Sequence, residues 1–215
     1  MRCTLTTEEL EAKFERAQTE LDLQPVDKIL FRPFLGTIKN WYLPEYEHCL
    51  RVGLKCKEVA EETGIVEPIA LYRCGALHDI GKSGIRKELL SKRTGWSKAD
   101  SREMHEHIDI GCRMLRDLHD FEYWVILNSH TFDFHHPSKP TFSESHTERD
   151  KLYILNCARQ VNLIDFYDAA THRLNDRNTP GTPRLLTDDE VRRVTTEQNM
   201  DCKHLIDKLY SKGIF

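Results

Sequence analysis

Apolar residues recur at intervals of three and four through most of this 215-residue chain, and nowhere alternate long enough to make a strand. From Glu45 to about Glu62 they fall at Cys49, Val52, Cys56, Val59 and Ala60, and Gly64 stands where a C-terminal cap would end the helix. Pro68, a favoured first helical residue, opens the next helix, which runs to about His78. Ser97-Lys98-Ala99-Asp100 starts another, carrying Met104, His107, Ile108, Gly111, Cys112 and Leu115 along one side. Further helices are predicted over about 118–130, from caps at Ser145 and Glu148 to about Leu174, and over about 201–211. Leu186 to Val191 combines a capping box with a hydrophobic staple. Thr6-Thr7-Glu8-Glu9 opens a helix to about Leu23, which Pro25 breaks. Residues 26–44, punctuated by Pro33 and Pro44, read as a short helix and a loop; 131–146 and 175–186 read as loops. Only 10 Gly and 8 Pro interrupt the pattern, so the expected class is all-α.

Composition narrows the function. The net charge of -4 argues against a general nucleic-acid or anionic-membrane binder, because both need a positive field. No stretch approaches 18 apolar residues, so no membrane span is expected. Seven cysteines without a CxxC pair give neither a zinc-ribbon nor a disulfide framework. They read as reduced core residues. With no apolar leader after Met1, the expected compartment is the cytoplasm.

The eleven histidines carry the chemistry. His78-Asp79 closes an apolar helix holding Ile69, Ala70, Cys74 and Leu77, and a buried Asp79 is costly unless paired or metal-bound. One imidazole and one carboxylate suit Zn, Fe, Mn or Co better than Mg. His48 lies beside Cys49 and Val52 on an amphipathic helix, His107 on the Met104–Leu115 stripe, and His130 at the end of an apolar helix. Asp165 lies on the stripe Leu155, Ala158, Asn162, Ala169. Singly, each histidine reads as a core or boundary residue. Together, six ligand types on several helices form the kind of constellation from which bundles build metal sites. His105, His119, His146, His172 and His204 lie off the apolar stripes and read as surface residues, and His135 and His136 as loop residues.

In order, His48, His78-Asp79 and Asp165 resemble the ligand set of the HD superfamily of metal-dependent phosphohydrolases. The branch most similar is that of the HD-GYP-like phosphodiesterases. Glu47 to Val52, His78-Asp79-Ile80-Gly81-Lys82, His107 to Gly111 and Asp165-Phe166-Tyr167-Asp168-Ala169 match its motifs in series. The stretch Ser129 to Pro137 keeps His130 but lacks the Gly-Tyr-Pro segment, so cyclic di-GMP specificity is not carried over.

The resemblance implies an HD-type helical bundle over residues 45–215, preceded by a helical extension over 1–44. It implies two divalent transition metals, Fe or Mn, with Zn, Co or Ni as further candidates. The implied metal ligands are His48, His78, Asp79, His107, His130 and Asp165, with Asp79 bridging. Asp79 and Lys82 are the implied catalytic residues, Lys82 neutralising charge on a phosphoryl group, and Asp168 bonds a neighbouring ligand. The implied activity is hydrolysis of a phosphoester bond in a small phosphorylated substrate, a nucleotide or cyclic (di)nucleotide, by a metal-activated hydroxide. Its alternatives are a di-iron oxygenase and a degenerate regulatory binding module. Oligomerisation is left open.

Overall fold

Four helices begin on a reciprocal capping box, in which a Ser or Thr hydroxyl and an acidic side chain satisfy each other's backbone N–H groups. In the computed structural model these boxes are Thr6/Glu9, Ser97/Asp100, Thr147/Asp150 and Thr187/Glu190. The structure describes residues 5–132, 139–174 and 183–215. Among them run α1 (Thr7–Glu20), α2 (Pro25–Trp41), α3 (Leu43–Thr63), α4 (Pro68–Leu77), α5 (Lys87–Leu90), α6 (Lys98–Leu115), α7 (Asp120–Ser129), α8 (Glu148–His172), α9 (Asp188–Gln198) and α10 (Lys203–Ser211). Short 3-10 turns occupy Ile80–Gly84, His130–Phe132 and Met200–Cys202. No strand occurs among the described residues, and no helix there is long and apolar enough to cross a membrane. His135, His136 and most of the expected 175–186 loop lie outside the described residues.

Two expectations change. Residues 26–44 are not a short helix and a loop: α2 runs 17 residues through Pro33. Pro33 sits on the exposed side, while Phe31, Leu35 and Ile38 point inward and are buried. Burying each contributes roughly 1.5–3 kcal/mol, which outweighs the ~3 kcal/mol that an interior proline costs. Pro25 starts this helix rather than stopping α1, which ends at Glu20, before Asp22 turns the chain in the left-handed conformation (φ 51°).

The cap of α8 is Thr147, not Ser145. The Thr147 hydroxyl accepts from Asp150 N at 3.2 Å, and Asp150 Oδ2 accepts from Thr147 N at 2.9 Å. Ser145 instead exchanges a hydrogen bond with Ser143. Thr147→Ala should therefore lower stability by about 1 kcal/mol. Ser145→Ala should stay within about 0.5 kcal/mol. Urea denaturation of the two variants checks this.

Gly64 ends α3 in the left-handed conformation (φ 63°), and the link 64–67 returns the chain as α4. This α3/α4 pair separates two apolar cores. On one side Tyr46, Leu50, Tyr72 and Leu77 pack with Leu10 and Phe14 of α1 and with Phe31, Leu35 and Ile38 of α2. On the other, Val52, Cys56, Val59 and Cys74 pack with Ile154, Cys157, Val161 and Ile164 of α8. Cys49, Cys56, Cys74, Cys112 and Cys157 are buried and unbridged. Between the two cores, α3, the end of α4 and α8 bring their polar residues together.

Candidate metal centre

His48 lies in α3, His78 caps the end of α4, Asp79 leads into the 3-10 turn Ile80–Gly84, and Asp165 lies in α8. One ligand atom from each of the four falls within 4.8 Å of all the others. His48 Nε2 is 2.9 Å from Asp165 Oδ1 and 3.4 Å from Asp79 Oδ2, and His78 Nε2 is 3.2 Å from Asp79 Oδ2. The other oxygen, Asp79 Oδ1, lies 3.3 Å from His107 Nε2 of α6. Asp79 therefore faces His48 and His78 with one oxygen and His107 with the other. His130, at the end of α7, meets His107 edge to face with ring centres 5.3 Å apart. The arrangement brings all six expected ligands into one region, four of them around a single point.

The tautomers are set from behind. His78 Nδ1 donates to Gly75 O at 2.6 Å, and His107 Nδ1 donates to Met104 O. His48 Nδ1 donates to Asp168 Oδ2 at 2.6 Å. Arg51 grips the same carboxylate at 2.9 and 3.0 Å and keeps it in place. Each Nδ1 carries its hydrogen outward, so it is Nε2 that faces the centre and offers a lone pair to a metal once it is deprotonated. The Nε2 atoms of His48, His78 and His107 are buried and make no hydrogen bond, despite the nearby carboxylates. Buried polar atoms are normally satisfied. Orphaned nitrogens converging with two carboxylates fit a divalent transition metal in both donor type and direction.

Electrostatics agree. Burial and the neighbouring Arg173 oppose a charged His48, but Asp165, Asp168 and Asp79 outweigh them and raise its pKa to about 9. Burial likewise opposes a charged His78, but Asp79 and Asp165 raise its pKa to about 10. Burial alone would raise Asp79 and Asp165, yet the surrounding imidazoles, with Lys82 at Asp79, hold both well below the usual carboxylate range. Without a cation, protons on His48 and His78 balance the carboxylates. A metal must displace them, so its affinity should rise with pH up to about 10. Titrating the stripped protein with Mn at pH 6.5, 7.5 and 8.5 checks the sign; an affinity independent of pH would refute it.

Lys82 is buried in the 3-10 turn. It pairs with Asp79 and, at 3.1 Å, with Glu45. Arg173, just past α8, donates to the same Glu45 oxygen at 3.0 Å and lies 3.9 Å from Asp79 Oδ2. The side chains of Asp165 and Arg173 are 30 and 36% exposed, whereas those of His48, His78, Asp79 and Lys82 are at most 7%, so the centre opens on the α8 side.

Glu45, Arg51 and Arg173 are absent from the expected set. Glu45 sits three residues before His48 on one helix face, a spacing that could have flagged it, but a first-turn acid is also ordinary helix chemistry. Arg173 follows the end of a helix, where no periodicity marks it. His119, expected at the surface, is buried: its ring meets Phe34 of α2 edge to face and Arg73 bonds its Nδ1. His172 is exposed, as expected, and its Nδ1 lies 3.0 Å from Asp168 Oδ1. His105 and His146 are half-buried and His204 is exposed.

An all-α bundle with a buried His/Asp cluster between its central helices belongs to the class of helical proteins that can hold a metal in their core. The sequence matches the family of the HD domain over residues 46–170, more than half of the chain, and the protein belongs to that family. The family consists mostly of metal-dependent phosphohydrolases. No curated protein matches the sequence.

Proposed function

We propose that the protein is a metal-dependent phosphohydrolase acting on a phosphoester bond of a nucleotide or cyclic (di)nucleotide. The observation that carries this reading is the set of three orphaned, buried Nε2 atoms facing two carboxylates. His48, His78, Asp79 and Asp165 would hold one ion; Asp79, through its second oxygen, with His107 and His130 would hold another. The ions supply activation of water as a nucleophile near neutral pH. Asp168 and Arg51 orient His48, so its nitrogen stays directed inward. Lys82 and Arg173 stand beside Asp79 as the positive groups that meet the phosphoryl oxygens. Arg173, at the opening beside Asp165, receives the anionic substrate, and the burial of the remaining site residues keeps bulk water from the reacting group.

Elemental analysis of protein purified under nitrogen, with hydrolysis of bis(p-nitrophenyl) phosphate, tests this. About two Fe or Mn per chain with metal-dependent hydrolysis is the expected result. Protein that takes up no metal would refute it, and turnover that depends on oxygen would move the assignment to a di-iron oxygenase.

A further inference from the structure

Glu45 is a buried charge that the chemistry above leaves without a role. It occupies the first turn of α3, three residues before His48, so one helix face carries both. Its Oε2 receives Lys82 Nζ and Arg173 Nη2 at 3.1 and 3.0 Å. The two cations beside Asp79 therefore share a fixed carboxylate that is not part of the four-residue ligand cluster. Burial disfavours the ionised form of Glu45, but Arg173 and Lys82 outweigh it and keep it charged.

Building on the hydrolase reading, we infer that Glu45 is a specificity-determining residue that selects singly charged phosphodiesters over doubly charged phosphomonoesters. Lys82 and Arg173 already stand beside Asp79, and ionised Glu45 takes away one further unit of the positive charge that they offer a phosphoryl group. A monoanionic diester depends less on that unit than a dianionic monoester does. A dianionic monoester, or free phosphate, brings a second negative charge close to the Glu45 carboxylate. Where water is largely excluded, this repulsion is stronger than in solvent. The same carboxylate disfavours retention of the dianionic monoester that diester hydrolysis releases.

Glu45→Gln keeps the size and one acceptor and removes the charge. Using Mn-loaded protein at pH 8, kcat/KM is measured for p-nitrophenyl phosphate and for bis(p-nitrophenyl) phosphate, with inorganic phosphate as inhibitor. The monoester-to-diester ratio should rise about tenfold, and phosphate should inhibit about tenfold more tightly. Disruption of the fold does not produce tighter anion binding. Arg173→Gln should shift both quantities the opposite way and decides the question if Glu45→Gln does not fold. In the double variant the effect of Glu45 should shrink, because the two residues share one contact. A ratio within twofold of wild type in Glu45→Gln, at equal metal content, overturns the assignment; if that variant does not fold, an unchanged ratio in Arg173→Gln does so. Wild-type protein that binds metal yet hydrolyses neither ester overturns the hydrolase reading itself, and this inference with it.

Discussion

Asp79→Asn should reduce phosphodiester hydrolysis by more than about 100-fold and sharply lower the metal content. Even an outer partner of a ligand typically costs 10–100-fold in affinity or activity, and Asp79 stands nearer than that. Its Oδ2 faces His48 and His78, its Oδ1 faces His107, and Lys82 pairs with it. An asparagine removes the charge that draws these groups together and leaves one oxygen in place of two. Asp168→Asn is the graded comparison. It loosens the hold on His48 but leaves the inward nitrogens in place, so its loss should fall within roughly 10–100-fold. Metal per chain and kcat/KM, measured together on both variants, check the order. Asp79→Asn with full metal content and full activity would refute the centre.

Gly81→Ala should be the most damaging single-methyl change. A Cβ on Gly81 would lie 1.8 Å from His107 O and 2.5 Å from Gly111 N. Both are backbone atoms of α6, so no side chain can swing aside. The 3-10 turn after Asp79 and the helix bearing His107 would have to separate. Overpacking usually costs 1–3 kcal/mol, and a backbone collision belongs at or above the upper end, about 3 kcal/mol or more. For a chain of this length that lowers Tm by roughly 6–12 °C. The same separation would pull His107 from Asp79, so activity should fall even in the folded fraction. Gly36→Ala is the control. A Cβ there meets nothing within 4 Å on α2, and the change should stabilise by up to about 1 kcal/mol. Thermal melts of the two variants separate the effects; equal Tm values would refute the close approach.

The metal-free protein should also lose stability at alkaline pH. His48 and His78 have pKa values raised in the folded state to about 9 and 10. Their stabilising contribution is complete below the unfolded value of about 6.5. It fades as pH rises through the folded values. Bound metal, which needs both rings neutral, should remove this dependence. Urea midpoints of apo and loaded protein between pH 6.5 and 10 check it.

Much of the helical framework was legible in the sequence because capping and amphipathic periodicity are settled within a turn or two. Gly64 ends α3, and Thr6/Glu9 and Thr187/Glu190 start helices where their residue types require. The residues of the buried His/Asp cluster were legible too, since polar residues on apolar stripes need partners. Where a local rule had two answers, packing chose. Ser145 and Thr147 are both capping residues, and only the helix start distinguishes them. Pro33 is a helix breaker until the buried face of α2 outweighs it.

The charges around the centre were beyond local rules altogether. His48 meets an aspartate 120 positions away, and Glu45 meets Lys82 and Arg173 at separations of 37 and 128 residues. Such pairings depend on which faces α3, α4 and α8 turn to one another. The helix periods and caps are energies of neighbouring residues and can be read from sequence. The shared carboxylate, the oriented imidazoles and the glycine-wide contact with His107 exist only once burial has brought distant segments together and made every unmatched charge costly.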